Sequence, residues 1–142
     1  MVKQVSVFVE NKPGTLAKVS KALGDEKINI RAFSVAEVGE FGIVRLIVND
    51  PEKANYILRE KGYTSAITDV LAVEMGDEPG SLAEVAGILG DSQINIEYAY
   101  ALLEREANKA VLIARVDNIE KAKNILIEAN FRLLTPEEVY SL

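Results

Sequence analysis

The period of the apolar residues changes repeatedly along the first half of the chain. "VSVFVE" (5–10) alternates apolar and polar positions, as a strand with one buried face does. "TLAKVSKALGDE" (15–26) instead sets Leu16, Val19, Ala22 and Leu23 on one stripe, the period of a helix that stops near Gly24. "INIRAFSVAE" (28–37) and "GIVRLIVN" (42–49) are β-branched runs separated by Gly39 and Gly42, which predicts a hairpin. Asp50 before Pro51 predicts a second helix start, because an N-cap carboxylate accepts an orphan N–H and proline tolerates the first helical position. Ala54, Ile57 and Leu58 then face inward, the helix ends about Gly62, and "YTSAIT" (63–68) makes a fourth strand.

With hardly a break, "DVLAVEM" (69–75) begins the pattern again. Pro13-Gly14 recurs as Pro79-Gly80, Leu16-Ala17 as Leu82-Ala83, and Ile28-Asn29-Ile30 as Ile94-Asn95-Ile96, all 66 residues on. Glu52-Lys53-Ala54 recurs as Glu120-Lys121-Ala122, 68 residues on. Two residues are therefore inserted between these blocks. The simplest place is the hairpin turn, "EVGEFG" in one copy and "EREANK", a charged exposed tip, in the other, since turns tolerate insertion best. An internal repeat decides the fold before any local detail. The expected domains are residues 1–68 and 69–142. In the second copy Asp117 is expected as an N-cap with Glu120 at N3, followed by a short strand near "NFRLL". Thr135-Pro136-Glu137-Glu138 then carries a cap, an N1 proline and an N3 glutamate, which predicts a terminal helical turn through Tyr140.

The order βαββαβ, twice, fits a right-handed crossover with a hairpin partner between its strands. The expected class is α+β: two tandem ferredoxin-like domains, each a four-stranded antiparallel sheet with two helices on one face. Copies this small are expected to lean on each other or on further subunits.

Composition narrows the chemistry. The 142 residues contain no Cys and no His, which removes thiolate nucleophiles, thiolate-bound zinc, the commonest general base and the commonest metal ligand. Neither a metal nor a cofactor is expected. The net charge of -6 and the lack of a Lys/Arg block argue against nucleic acid. No apolar run is long enough to span a membrane, and the N-terminus lacks the pattern of a signal peptide, so a cytoplasmic location is expected.

The residues left to carry function sit in the turn between the first strand and first helix. Gly14 and Gly80 allow a sharp turn or a close backbone approach, and the helix that follows directs unpaired N–H groups and its positive dipole end outward, a place for a carboxylate. Pro-Gly is equally a plain βα turn. Asn29 and Asn95 stand at the entrance of the next strand. Their amides suit the ammonium and carboxylate of a free amino acid, though asparagine there is also a common turn former.

With "ENKPGTL" and "INI", then "DEPGSL" and "INI", in this element order, nearly the whole chain resembles a tandem ACT-domain protein without a catalytic domain. The resemblance implies a non-catalytic regulatory protein that binds a free amino acid at an interface between ACT domains. It also implies a homodimer joined through sheet edges and a partner enzyme of amino-acid biosynthesis, acetolactate synthase being the concrete example. By that resemblance Asn11 contacts the ligand, Gly14 lies against its carboxylate, and Asn29 completes the site from a partner domain. The implied ligand-binding set is Asn11, Pro13, Gly14, Thr15, Leu16, Asn29 and Ile30, with Asp77, Gly80, Ser81, Leu82 and Asn95 in the second copy. Asp77 stands where Asn11 does, and an ionised Asp accepts only, so it repels a carboxylate and attracts an ammonium group. The first copy is therefore ranked above the second.

Three other functions of the same fold fit poorly. An acylphosphatase needs an Arg in the first turn, which "ENKPGT" lacks; an RNA binder needs aromatics on "IVRLIV" and "AVLIARV"; a metallochaperone needs Cys. A structural dimerisation module without ligand remains the alternative.

Overall fold

A computed structural model of the chain describes residues 1–104 and 108–142, so residues 105–107 of the predicted "EREANK" hairpin tip lie outside the described residues. The chain divides into two compact units, Lys3–Thr68, and Asp69–Leu142 together with Met1–Val2.

The first unit contains β1 (Val2–Glu10) from Lys3 onward, α1 (Thr15–Asp25), β2 (Ile30–Val38), β3 (Phe41–Val48), α2 (Pro51–Glu60) and the opening residues of β4 (Thr64–Gly76). Its strands lie in the order β2-β3-β1-β4. β3 thus sits between β1 and β2, and β1 between β3 and β4, which is the interleaving of two βαβ units in a ferredoxin-like fold. β3 pairs antiparallel with both β1 and β2, Val44 lying opposite Val7 on one flank and Val35 on the other. The alternation of β1 delivers Val5, Val7 and Val9 to one face, where they pack with Leu46, Val48, Val19 and Leu23 of α1, and Ala54, Ile57 and Leu58 of α2. The inward stripe of α1 is shorter than its spacing predicts. Leu16, at the second helical position, is 39% exposed, and burial begins a turn later at Val19.

The second unit contains the rest of β4, then α3 (Ser81–Asp91), β5 (Ile96–Leu103), β6 (Lys109–Val116), α4 (Ile119–Glu128) and α5 (Pro136–Tyr140). Its strands follow the order β4-β6-β5, again antiparallel. Its core gathers Leu71, Val73, Val85, Leu89, Leu112, Ala122 and Leu126, with Met75 and Leu133 packed against it. The expected strand in "NFRLL" is here a single bridge, Leu133 opposite Val73. It is flanked by the Glu74 N–H donating to the Arg132 carbonyl and the Leu134 N–H to the Ala72 carbonyl, both at 2.9 Å. The pairing stops because the chain turns into a helix immediately. Thr135 caps α5 with a full capping box to Glu138, and Pro136 offers no N–H to a ladder.

One cap differs from expectation. α4 is capped by Asn118, whose side chain accepts from the Lys121 N–H at 3.1 Å, and not by Asp117. Asp50, the first-unit cap, accepts from the Lys53 N–H in the same way, and Asn118 is its counterpart at the offset of 68. Asp117 is freed for another task, described below.

Candidate functional site

Glu10 ends β1 and Thr15 begins α1, so residues 11–14 must reverse the chain. Asn11 fixes this turn to the β2–β3 hairpin twice: its backbone N–H donates to the Glu40 carbonyl at 2.8 Å, and its side-chain Nδ2 donates to the Gly39 carbonyl at 3.2 Å. Asn11 is exposed, and its side-chain oxygen and second N–H make no hydrogen bond among the described residues. Gly14 is the N-cap of α1 at φ 88° and ψ -10°, a left-handed conformation that a side chain disfavours, and it brings no side-chain cap. Its carbonyl accepts from the Lys18 N–H at 3.0 Å, which closes the first helical turn. The first-turn amides of Leu16 and Ala17 precede any intrahelical acceptor.

The charges around this helix start run against the ordinary preference. Helix N-termini favour Asp and Glu, yet α1 has no acidic residue in its first turn, and Lys12 and Lys18 flank it instead. Lys12 forms an exposed ion pair with Glu10 at 2.9 Å. The hydrogen bond and charge of Lys12 hold the Glu10 carboxyl below the usual glutamate range. A shallow cavity of about 160 Å³ opens here, lined by Glu10, Lys12, Pro13, Thr15, Lys18 and Tyr63.

The second turn copies the backbone and changes the side chains. Gly80 caps α3 at φ 92° and ψ -13°, the Asp77 N–H donates to the Asn108 carbonyl at 2.7 Å, and the Glu84 N–H donates to the Gly80 carbonyl at 3.0 Å. Asp77 has no N–H on its side chain with which to repeat the Asn11 bond. Where the first turn has Glu10, Lys12 and Lys18, the second has Gly76, Glu78 and Glu84.

Asn29 and Ile30 lie at the far end of α1 from this turn, and Asn95 at the far end of α3 from the second. An eleven-residue helix is about 16 Å long, so neither unit brings its own asparagine to its own turn. The asparagines are nevertheless held firmly. The Asn29 N–H donates to Asn49 Oδ1 at 3.0 Å while its carbonyl accepts from the Asn49 N–H at 3.2 Å. Asp117 does the same for Asn95, at 3.1 and 3.2 Å. The Asn29 and Asn95 side-chain amides are exposed and make no hydrogen bond among the described residues. Pro13, Leu16 and Leu82 are exposed at their turns, Thr15 and Ser81 half-buried, and Ile30 packs against the first core.

Sequence reasoning passed over Glu10, Lys12, Lys18 and Tyr63. The signal for the first three was present in the repeat, at the positions where the copies differ in charge. Among the described residues no group of three or more acidic side chains is placed to hold a metal, and no helix is long and apolar enough to cross a membrane.

No curated protein matches the chain. Among solved structures, protein BT0572 from Bacteroides thetaiotaomicron is 38% identical, over 99% of this chain and 96% of that one, with a TM-score of 0.92. The ligand-free regulatory subunit of aspartate kinase from Thermus thermophilus is 18% identical over 89% of this chain and 91% of its own, with a TM-score of 0.66. The same subunit from Thermus flavus is 18% identical over 87% of each, with a TM-score of 0.64. At that identity the likeness is one of fold. The family profile described as an ACT domain pair matches residues 1–142, and the chain belongs to that family.

Proposed function

We propose that the chain is a non-catalytic regulatory module of the cytoplasm that binds a free amino acid through the turn at the start of α1 and thereby controls an enzyme of amino-acid metabolism. The observation that carries this reading is the local conflict at Gly14: a helix start with no side-chain cap, no acidic residue and two neighbouring lysines. Such an end is poorly satisfied alone and well satisfied by a carboxylate. Departures from local consistency of this kind concentrate at functional sites. Membership of the ACT family supports the regulatory role, and the aspartate kinase regulatory subunits of like fold support the kind of enzyme controlled. The ligand carboxylate meets the Leu16 and Ala17 amides, Asn11 gives its side-chain oxygen to the ammonium group, and Lys12 and Lys18 supply the positive field.

Asn29 belongs to the same site only when a second copy of the chain supplies it, since its own helix holds it away. The edge strand β2 supports such a dimer, because Phe33 and Val35 stand on it 57% and 54% exposed. Ligand that binds the paired state better than the open one shifts that equilibrium, and the partner enzyme responds to the shift. The exposed β2 residues also favour the second reading, a dimerisation module that needs no ligand.

A thermal-shift panel of the twenty amino acids separates the two. A ligand at 100 times its dissociation constant stabilises the folded state by about 2.7 kcal/mol, a readily measured change in melting temperature. One or two responding amino acids, silenced by substitution at Gly14, establish the sensor. Silence across the panel with an intact dimer establishes the structural module.

A further inference from the structure

We infer that the second unit holds a binding site for an aliphatic monocarboxylate without an ammonium group, in the apolar cavity beside α4, with Lys123 as the partner of the acid. The site is separate from the turn at α1, and its test does not depend on what that turn binds.

The cavity has a volume of about 260 Å³, and every residue that lines it belongs to the second unit. Val70 and Ala72 of β4, Ile127 of α4, Leu133, Pro136 and Met1 give it apolar walls. Ile127 is 52% and Met1 39% exposed, so part of this apolar surface is left for another molecule to cover. Among the described lining residues Lys123 carries the one charge. It is half-buried and makes no hydrogen bond or ion pair among the described residues. Thr135 also lines the cavity; its hydroxyl accepts from the Glu138 N–H at 3.2 Å and keeps a proton to donate.

The first copy equips the same positions differently. Asn55, Arg59 and Ser65 stand 68 residues before Lys123, Ile127 and Leu133. Those three satisfy one another: the Ser65 hydroxyl donates to Asn55 Oδ1 at 2.6 Å, and the Arg59 Nη2 and Nε donate to the Ser65 carbonyl at 2.9 and 3.2 Å. In the second copy this closed polar set has become two aliphatic side chains and a lone ammonium. Water serves the ammonium but leaves the apolar walls bare, whereas an acid with an aliphatic tail serves both.

Size and charge narrow the ligand. At the share of liquid volume that one water takes, about 30 Å³, the cavity spans about nine non-hydrogen atoms, the size of hexanoate. No acidic side chain lines it among the described residues, so an ammonium group on the ligand would lose water without gaining a partner and would stand near the like charge of Lys123. That requirement sets the site apart from one for free amino acids.

Titration of the full-length protein with hexanoate, norleucine and hexanol, read at the methyl signals of Val70, Ile127 and Leu133, tests each part of the inference. Hexanoate is expected to move these signals saturably. Norleucine, which adds an ammonium group to the same chain, and hexanol, which removes the charge, are expected to bind at least about tenfold more weakly. Lys123→Met keeps the apolar stem and is expected to reduce hexanoate to the level of hexanol, while Lys123→Arg keeps it within a few-fold of the wild type. The amide spectrum of each variant reports that the fold is intact. Hexanoate that leaves the three residues unmoved, norleucine or hexanol that matches it, a Lys123→Met protein that binds it as the wild type does, or a Lys123→Arg protein that loses it as fully as Lys123→Met each overturns the inference.

Discussion

The side-chain amide of Asn11 donates to the carbonyl of Gly39 at 3.2 Å, tying the turn that opens α1 to the tip of the β2–β3 hairpin. One side chain therefore serves two roles, since the bond consumes a single N–H and leaves an acceptor exposed. Asn11→Asp keeps the shape and removes the donor. The bond is exposed, so the expected loss of stability is only about 0.5 kcal/mol, while ligand affinity falls about tenfold through the added negative charge. Asn11→Ala weakens binding more than Asp77→Ala does, as measured by calorimetric titration with the amino acid selected in the thermal panel. Equal losses from the two alanine variants would remove the basis for ranking the first turn above the second.

Gly14 and Gly80 give a cleaner separation of fold from function. Their φ values of 88° and 92° disfavour any side chain, and a Cβ at either position would meet nothing within 4 Å. The cost of substitution is therefore conformational and not steric. Gly14→Ala and Gly80→Ala are each expected to lose about 1–2 kcal/mol in denaturant unfolding, with Asn in either position recovering part of it. Only Gly14→Ala should also lose ligand. If both variants bind as the wild type does, the first turn is a turn and nothing more.

The Glu10–Lys12 pair predicts a pH dependence with a definite sign. The folded chain holds the Glu10 carboxyl below its ordinary pKa, chiefly through the Lys12 hydrogen bond and charge, so the folded state binds that proton less tightly than the unfolded chain. The pair's contribution is present above the unfolded value and is lost as pH falls through the lowered folded value. Carboxyl-carbon NMR should place the Glu10 midpoint on the acid side of the ordinary glutamate value, and Lys12→Met should return it. Since Glu10 competes for Lys12, Glu10→Gln is expected to tighten carboxylate binding a few-fold at neutral pH. Weaker binding by that variant would mean that Glu10 belongs to the ligand's surroundings and is no competitor.

Much of the architecture was legible in the sequence because each element changes the apolar period and carries its own punctuation. The alternation of β1, the Asp50-Pro51 start of α2 and the Thr135–Glu138 capping box of α5 all fold as read. The misread elements share a cause, the competition of two local signals. Asp117 and Asn118 are both good caps, and only the repeat, which sets Asn118 opposite Asp50, decides between them. "NFRLL" has the composition of a strand, but the cap of α5 begins one residue after it and cuts the pairing to Leu133. The candidate site was legible in its backbone and illegible in its charge. A repeat is found where its copies agree, as at Gly14 and Gly80, whereas Lys12 and Lys18 matter because their counterparts are Glu78 and Glu84.

The same divergence assigns Asn49 and Asp117 a role that neither could show alone. Each receives a backbone N–H from the asparagine just before β2 or β5, Asn49 from Asn29 and Asp117 from Asn95, and each returns its own N–H to that asparagine's carbonyl. The ring fixes the backbone and leaves the Asn29 side chain outward. Asn49→Ala should therefore weaken ligand binding although Asn49 itself faces no ligand, while Asn49→Asp, which keeps the acceptor as Asp117 does, restores most of it. Asn118→Ala is the control, since it removes the cap of α4 at a cost of about 1 kcal/mol and leaves binding at the first turn unchanged. Unfolding curves report the stability of all three variants and calorimetric titration their affinity. An Asn49→Ala protein that loses stability but keeps full affinity would show that Asn29 has no part in the site.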